Sequence, residues 1–217
     1  MIVNKTNLLN YISGLLIVLG YALFPMLLKE GTALIGIGII FWLLSGDSWR
    51  KKKFLFGDHA AQLALALFGV ALLSILYTAG SWDNNIERTL NRYWKILVLV
   101  GLIGVMLNVS IRKYALYAFS AGVTFIVVSM YANIWLHLPW SVTQNTGFGA
   151  DHTVVGDYIT QNLMVCFYAL LCLDFSLKSK KAWTKGVWCI ASLAAVGAIF
   201  FLSPGRTGYV LMALSLA

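Results

Sequence analysis

The residues best placed to do chemistry are arginines set against apolar runs. Arg206 lies in Phe201-Leu-Ser-Pro-Gly-Arg-Thr-Gly-Tyr209, between two hydrophobic stretches. An arginine at bilayer depth costs about 2.5–3.5 kcal/mol, so the position calls for a compensating partner. Pro204 and Gly205 interrupt a helix beside it and leave backbone groups that need water, protein or a ligand. An anionic headgroup would satisfy the guanidinium and the open backbone together. An arginine snorkelling to lipid phosphate accounts for the same residues without a substrate.

A second group occupies Ser81 to Lys95, a segment that reads as an amphipathic helix leading into an apolar run. Arg88 and Arg92 are four apart and share one face, which Lys95 extends at the next i+3 position. Arginine binds phosphate oxygens through two parallel hydrogen bonds, so this face could clamp a pyrophosphate. The alternative is an interfacial helix on anionic lipid, its charge partly offset by Asp83 and Glu87. The third group is the polar, glycine-containing stretch Thr143 to Asp157. Asp151 or His152 there could act on a sugar hydroxyl, and Gln161 and Asn162 could line a cavity just inside the following run. An Asp-His pair in a loop is also commonly just solvated, and these glycines match no phosphate-loop pattern. His59 and His137 lie at run boundaries without partners and receive no role.

These residues need elements to position them, and composition says which kind. Of the 217 residues 60% are hydrophobic and 11% charged, with a mean hydropathy of +0.81. An ordinary soluble domain carries about 25% charged residues. Apolar runs of roughly 20 residues, the length that crosses about 30 Å of hydrocarbon, recur along the chain. The boundaries set by charges and turn residues predict spans near 8–28, 31–45, 60–79, 93–111, 114–137, 158–177 and 186–202, with an eighth beginning at Thr207. Lys29 and Glu30 alone separate the first two, which predicts a tight hairpin or a tilted pair. Gly36, Gly38, Gly101, Gly104 and Gly122 are expected to allow close helix packing.

The net charge of +8 is gathered in short clusters between apolar runs, a topology signal rather than a nucleic-acid face. Lys5, Arg50 to Lys53, Arg112, Lys113 and the lysines from 178 to 185 fall on one side. The smaller set, Lys29, Arg88, Arg92, Lys95 and Arg206, falls on the other. The positive-inside rule makes the first side cytoplasmic, places the N-terminus there, and turns all three candidate groups outward. Trp82, Trp94, Trp135 and Trp140 then lie near outer span ends, where indoles act as interface anchors. Cys166, Cys172 and Cys189 fall within apolar spans without ligand spacing and read as small core hydrophobes. Leu8 to Leu28 is longer than a signal-peptide core and reads as an uncleaved span. The last run, Thr207 to Ala217, is too short to span, so the chain is expected to be the N-terminal part of a longer protein.

The Ser-Pro-Gly-Arg-Thr-Gly stretch at 203–208, opening an apolar helix, resembles the serine/arginine signature of the O-antigen ligase superfamily. That superfamily also holds O-antigen polymerases and protein O-oligosaccharyltransferases. The order of features is similar too: a basic-aromatic outer segment (81–95), a Gly-rich outer loop before a span (147–162), then the signature arginine. The resemblance implies an all-α, polytopic transmembrane helical bundle of the GT-C glycosyltransferase kind. Residues 1–217 would then form a single transmembrane domain, truncated from a twelve-span whole. It further implies transfer of a glycan from undecaprenyl pyrophosphate to a lipid A-core hydroxyl at the periplasmic face of the bacterial inner membrane. Neither nucleotide sugar, metal nor other cofactor is implied. Arg206 would be the catalytic, pyrophosphate-binding residue with Arg88 and Arg92 as helpers, and Asp151, His152, Gln161 and Asn162 would be the candidates to line the cavity. The expected partners are the lipid-linked glycan, a lipid A-core, glycan or protein acceptor, and membrane lipids, with no nucleic acid. The general base is expected beyond Ala217, so this stretch alone should be inactive. A polymerase or a protein ligase would share this chemistry. A transporter or lipid flippase, or a membrane scaffold, would use the same spans differently.

Overall fold

The computed structural model describes residues 5–45, 57–74, 76, 82–203, 205, 208–210 and 212–213, without the side chains of 5–7, 82–86 and 88–92. Among these residues the chain is all-helical: α1 (Lys5–Leu23), α2 (Leu28–Leu44), α3 (His59–Ser74), α4 (Trp82–Met106), α5 (Val109–Ala132), α6 (Tyr158–Lys178) and α7 (Ala182–Phe201). Of these, α5, α6 and α7 are long and apolar enough to cross a membrane. Shorter apolar helices run over Leu8–Leu23, His59–Ser74 and Tyr93–Met106. Leu63, Leu67, Val70 and Leu73 on α3, and Leu193, Phe200 and Phe201 on α7, are exposed. So many uncovered apolar side chains suit a hydrocarbon solvent and not water.

Helix ends depart from the hydropathy boundaries wherever a single residue overrides the apolar run. Pro25 has no N–H and disfavours helical geometry at Phe24, so α1 stops at Leu23 and not near residue 28. The turn is therefore Phe24–Leu27, and Lys29 and Glu30 fall inside the first turn of α2. Asn108 divides the apolar stretch expected to run through 111. Its Oδ1 accepts from the backbone N–H of Ser110 (3.0 Å) and Ile111 (3.4 Å), which starts α5 at Val109. Conversely, the amphipathic stretch at 82–95 is continuous with the apolar one after it, as the single 25-residue helix α4.

The chain divides into two compact units, Met1–Val18 with Ala33–Tyr114, and Leu19–Thr32 with Ala115–Ala217. In the first, the Ser13 hydroxyl donates to Gly38 O at 2.7 Å, tying α1 to α2. Ala61 and Ala64 of α3 pack with Val100 of α4, flanked by Ile96 and Ile103. Gly38 and Gly101 meet Ile17 and Ile39 closely, as expected of packing glycines, and Gly104 is buried. Gly36 departs from that expectation, because a Cβ built there would find nothing within 4 Å.

The second unit holds the larger core. Buried positions recur every three or four residues on α5 (Phe119, Val123, Ile126, Met130), α6 (Val165, Tyr168, Cys172) and α7 (Ala195, Ala198, Ile199), so each helix turns one stripe inward. Polar side chains in these apolar helices find partners across the bundle. Ser192 Oγ donates to Ala169 O (2.9 Å) and Ser176 Oγ to Lys185 O (3.0 Å), setting the α6–α7 hairpin register. Tyr131 OH donates to Ala194 O (2.9 Å), and Thr124 and Tyr168 hydroxyls share a bond of 2.7 Å. Of the cysteines, Cys166 and Cys172 lie in this core as expected, while Cys189 is exposed on α7.

Candidate functional site

Residues 133–157 join α5 to α6 and fold into a polar cap held by hydrogen bonds between its own segments. Val142 N–H donates to Val154 O (3.1 Å) and Thr143 N–H to Thr153 O (2.9 Å), drawing two distant segments together. Buried Asn133 donates through Nδ2 to Ser141 Oγ (2.7 Å), which donates in turn to Thr153 O (3.1 Å). Gly147 and Gly149 take positive φ of 87° and 82°, open to glycine at little cost. In that geometry Gly147 N–H reaches Ile134 O (3.0 Å) and Gly149 N–H reaches Phe201 O (3.3 Å) at the end of α7.

Asp151 and His152 have separate tasks. The Asp151 carboxylate accepts from the N–H (3.1 Å) and hydroxyl (2.7 Å) of Thr153, a local turn. His152 is fully buried; its N–H donates to Leu202 O (3.1 Å), and its ring Nε2 lies 2.8 Å from Gly147 O. A carbonyl only accepts, so Nε2 carries a hydrogen. Among the described residues the two side chains are not bonded to each other.

Asp157 starts α6. Its carboxylate accepts from the N–H of Ile159 and Thr160 (2.9 Å each) and from the Thr160 hydroxyl (2.8 Å). The Thr160 N–H and then the Thr160 hydroxyl are the main causes that hold this carboxyl below its ordinary range, with Ile159 N–H adding to them. A depressed folded pKa stabilises the fold above the unfolded value and loses that contribution as pH falls through the folded one. Acidification below about pH 4, the ordinary aspartate range, therefore destabilises the wild type more than Asp157→Asn, since asparagine caps equally well without titrating. Thermal unfolding of both in detergent between pH 3 and 7 checks this; parallel curves would refute it.

Gln161 and Asn162, one turn later, are both fully buried. Gln161 Oε1 accepts from Val154 N–H (2.7 Å) and Val155 N–H (3.2 Å), while Nε2 meets Met130 Sδ at 3.4 Å. Asn162 Nδ2 donates to Ser203 Oγ at 2.8 Å. The polar cap, the start of α6 and the residues after α7 thus form one network within the second unit. Asn133 Oδ1, His152 Nδ1 and Asn162 Oδ1 are buried and have no hydrogen-bond partner among the described residues. Comparison of the chain with protein-family models, with curated proteins and with solved structures finds no match.

The functional argument therefore stands on this chain's own residues. The structure brings His152 and Asn162 to Leu202 and Ser203, while Gln161 holds Val154 and Val155 instead and Asp151 bonds within its own turn. Arg206 itself lies outside the described residues, but Ser203, Gly205 and Gly208 around it are described and buried. Arg88 and Arg92 belong to α4 in the first unit, and their side chains are outside the described set. Lys95 on the same helix is exposed. Trp94, Trp135 and Trp140 are exposed as well, as interface anchors would be. Sequence reasoning passed over Asn133 and Ser141, and it named Thr153 and Ser203 only as members of the loop and of the signature stretch, without partners. Asn133 carried a signal, being an amide at the end of an apolar run where an unpaired polar group is costly.

Proposed function

We propose that this protein is a multi-pass bacterial inner-membrane glycosyltransferase of the O-antigen ligase kind, with its N-terminus cytoplasmic and its active face periplasmic. It moves a glycan from undecaprenyl pyrophosphate to a lipid A-core hydroxyl, its bundle is GT-C-like, and Arg206 binds the departing pyrophosphate. The observation that carries this reading is the network joining the Gly-rich cap to Ser203: His152 N–H on Leu202 O and Asn162 Nδ2 on Ser203 Oγ. Two segments chosen independently for their chemistry, the Gly-rich loop and the stretch that opens at Ser203, thus share one buried network. A phosphate leaving group needs positive charge aimed at the oxygen where charge develops, and a guanidinium supplies it.

The test is deletion of the gene followed by analysis of surface and lipid-linked glycans. Loss of the lipopolysaccharide ladder with accumulation of lipid-linked polymer is the expected result. Lipopolysaccharide carrying single repeats would make the protein a polymerase, and loss of glycans from protein alone would make it a protein ligase. Purified complete protein that translocates the lipid-linked glycan without transferring it would overturn the enzyme reading in favour of a flippase.

A further inference from the structure

The exposed apolar residues of α7 include one stripe, Trp183, Val187, Ile190 and Leu193, spaced three or four apart. A helix long and apolar enough to cross a membrane turns such a stripe to hydrocarbon. Trp183 ends the stripe and is 81% exposed. An indole in that place sits at the level of the lipid headgroups. On α6 the exposed apolar side chains run as far as Leu177, which adjoins Lys178. The two helices therefore leave the hydrocarbon together, at the turn that joins them.

That turn is rich in cations. Lys181 and Lys185 lie two residues to either side of Trp183, about 3 Å from it along a helix axis at about 1.5 Å per residue. Two residues are a little over half a turn, so one depth carries the indole on one side of α7 and lysines on the other. Asp174 is the sole carboxylate between 158 and 201, and Lys178 Nζ pairs with it at 2.8 Å. Among the described residues Lys180, Lys181 and Lys185 are exposed and make no ion pair. The main chain that carries them is fixed. Ser176 Oγ donates to Lys185 O (3.0 Å) and Thr184 Oγ1 to Lys181 O (2.9 Å). Just inside, the Phe175 ring packs against Tyr117 and Trp188 with centroids 5.0 and 5.1 Å apart.

We propose that the tip of the α6–α7 hairpin is a binding surface for anionic phospholipid. Lys180, Lys181 and Lys185 meet headgroup phosphates, their long stems carrying the ammonium groups out to that plane, while Leu177 and Trp183 enter the glycerol and upper acyl region. Charge and depth together select this occupant. Zwitterionic lipid would solvate the apolar stripe but brings no net charge to three unpaired cations. A soluble acidic partner would meet the cations but would have to strip lipid from the indole beside them. The surface is independent of the reaction proposed above.

The test titrates the complete chain, in a mild neutral detergent, with phosphatidylglycerol or phosphatidylcholine and follows its melting temperature. A ligand that binds the folded state raises that temperature. Phosphatidylglycerol gives the larger rise, and added sodium chloride removes the difference between the two lipids, as screening requires. Lys181→Gln/Lys185→Gln, compared with its own lipid-free melting temperature, needs about 10- to 30-fold more phosphatidylglycerol for half the rise, roughly five-fold per lysine. Arg112→Gln/Lys113→Gln removes as many charges elsewhere and leaves the response in place. An unchanged half-point in the lysine variant overturns the proposal, and is the outcome expected of a surface for a soluble acidic partner. Equal weakening in the two variants also overturns it, by making the response a matter of net charge alone. A rise produced by inorganic phosphate without lipid overturns the bilayer as its source. If the lysine variant does not accumulate, the wild type decides: a preference for phosphatidylglycerol that survives high salt overturns the proposal.

Discussion

On the proposed function, Arg206→Ala is expected to lower glycan transfer by about 100-fold or more, and Arg206→Lys is expected not to restore it. Removing one hydrogen-bond donor from a site of developing charge costs about 10²–10³ in turnover. Lysine keeps the charge as a compact, strongly hydrated point and cannot form the two parallel bonds of a guanidinium with phosphate. Complementation of a deletion strain by each variant, with the amount of membrane-inserted protein measured beside it, is the check. A well-expressed alanine variant with normal activity would end the assignment of Arg206. An arginine that only snorkels to lipid phosphate predicts another pattern, in which lysine substitutes freely and the alanine variant changes insertion alone.

A large stability effect is expected at Gly122 on α5. A Cβ there would lie 2.6 Å from the carbonyl oxygen of Ala22 and 3.0 Å from the Pro25 ring. Both belong to the α1–α2 elbow of the same unit, and neither can yield easily, one being main chain and the other a rigid ring. Overpacking usually costs about 1–3 kcal/mol and occasionally more, so Gly122→Ala should unfold well below the wild type or fail to accumulate. Gly36→Ala is the matched control. It adds the same methyl group to a helix at a place with nothing within 4 Å. Alanine is a better helix former than glycine by about 0.8–1.0 kcal/mol, so this variant should melt at the wild-type temperature or slightly above it. Melting curves in one detergent compare the two, and equal effects would refute the packing account.

Gly36 and Gly122 show where reading the chain by residue type reaches its end. Both stand in apolar runs and both were expected to admit a neighbouring helix, yet only Gly122 has one against it. Helix bounds divide in the same way. The extent of α6 follows the hydropathy closely, since its ends coincide with Asp157 and Lys178, whereas α7 ends as expected but starts at Ala182, ahead of the expected 186, and takes Lys185 into the helix. The ends of α1 and the start of α5 follow Pro25 and Asn108 instead, local signals that a hydropathy boundary averages away. Arg206 stood out in the sequence by being a cation between apolar runs. Its surroundings did not, because Asn162 and Ser203 meet only after α6 and α7 have packed.

What the sequence determined by itself is an apolar helical chain with candidate charges at its span ends. Hydropathy is a sum of transfer free energies taken residue by residue, and it needs no knowledge of neighbours in space. The tertiary structure decided what each polar residue does. Asp151 and His152, adjacent and suited to joint chemistry, were sent to different partners, Thr153 and Gly147. Gln161 and Asn162, read together as a cavity lining, became holders of two separate segments. A buried polar group must find its partner wherever the chain brings one, and that choice depends on segments far apart in sequence.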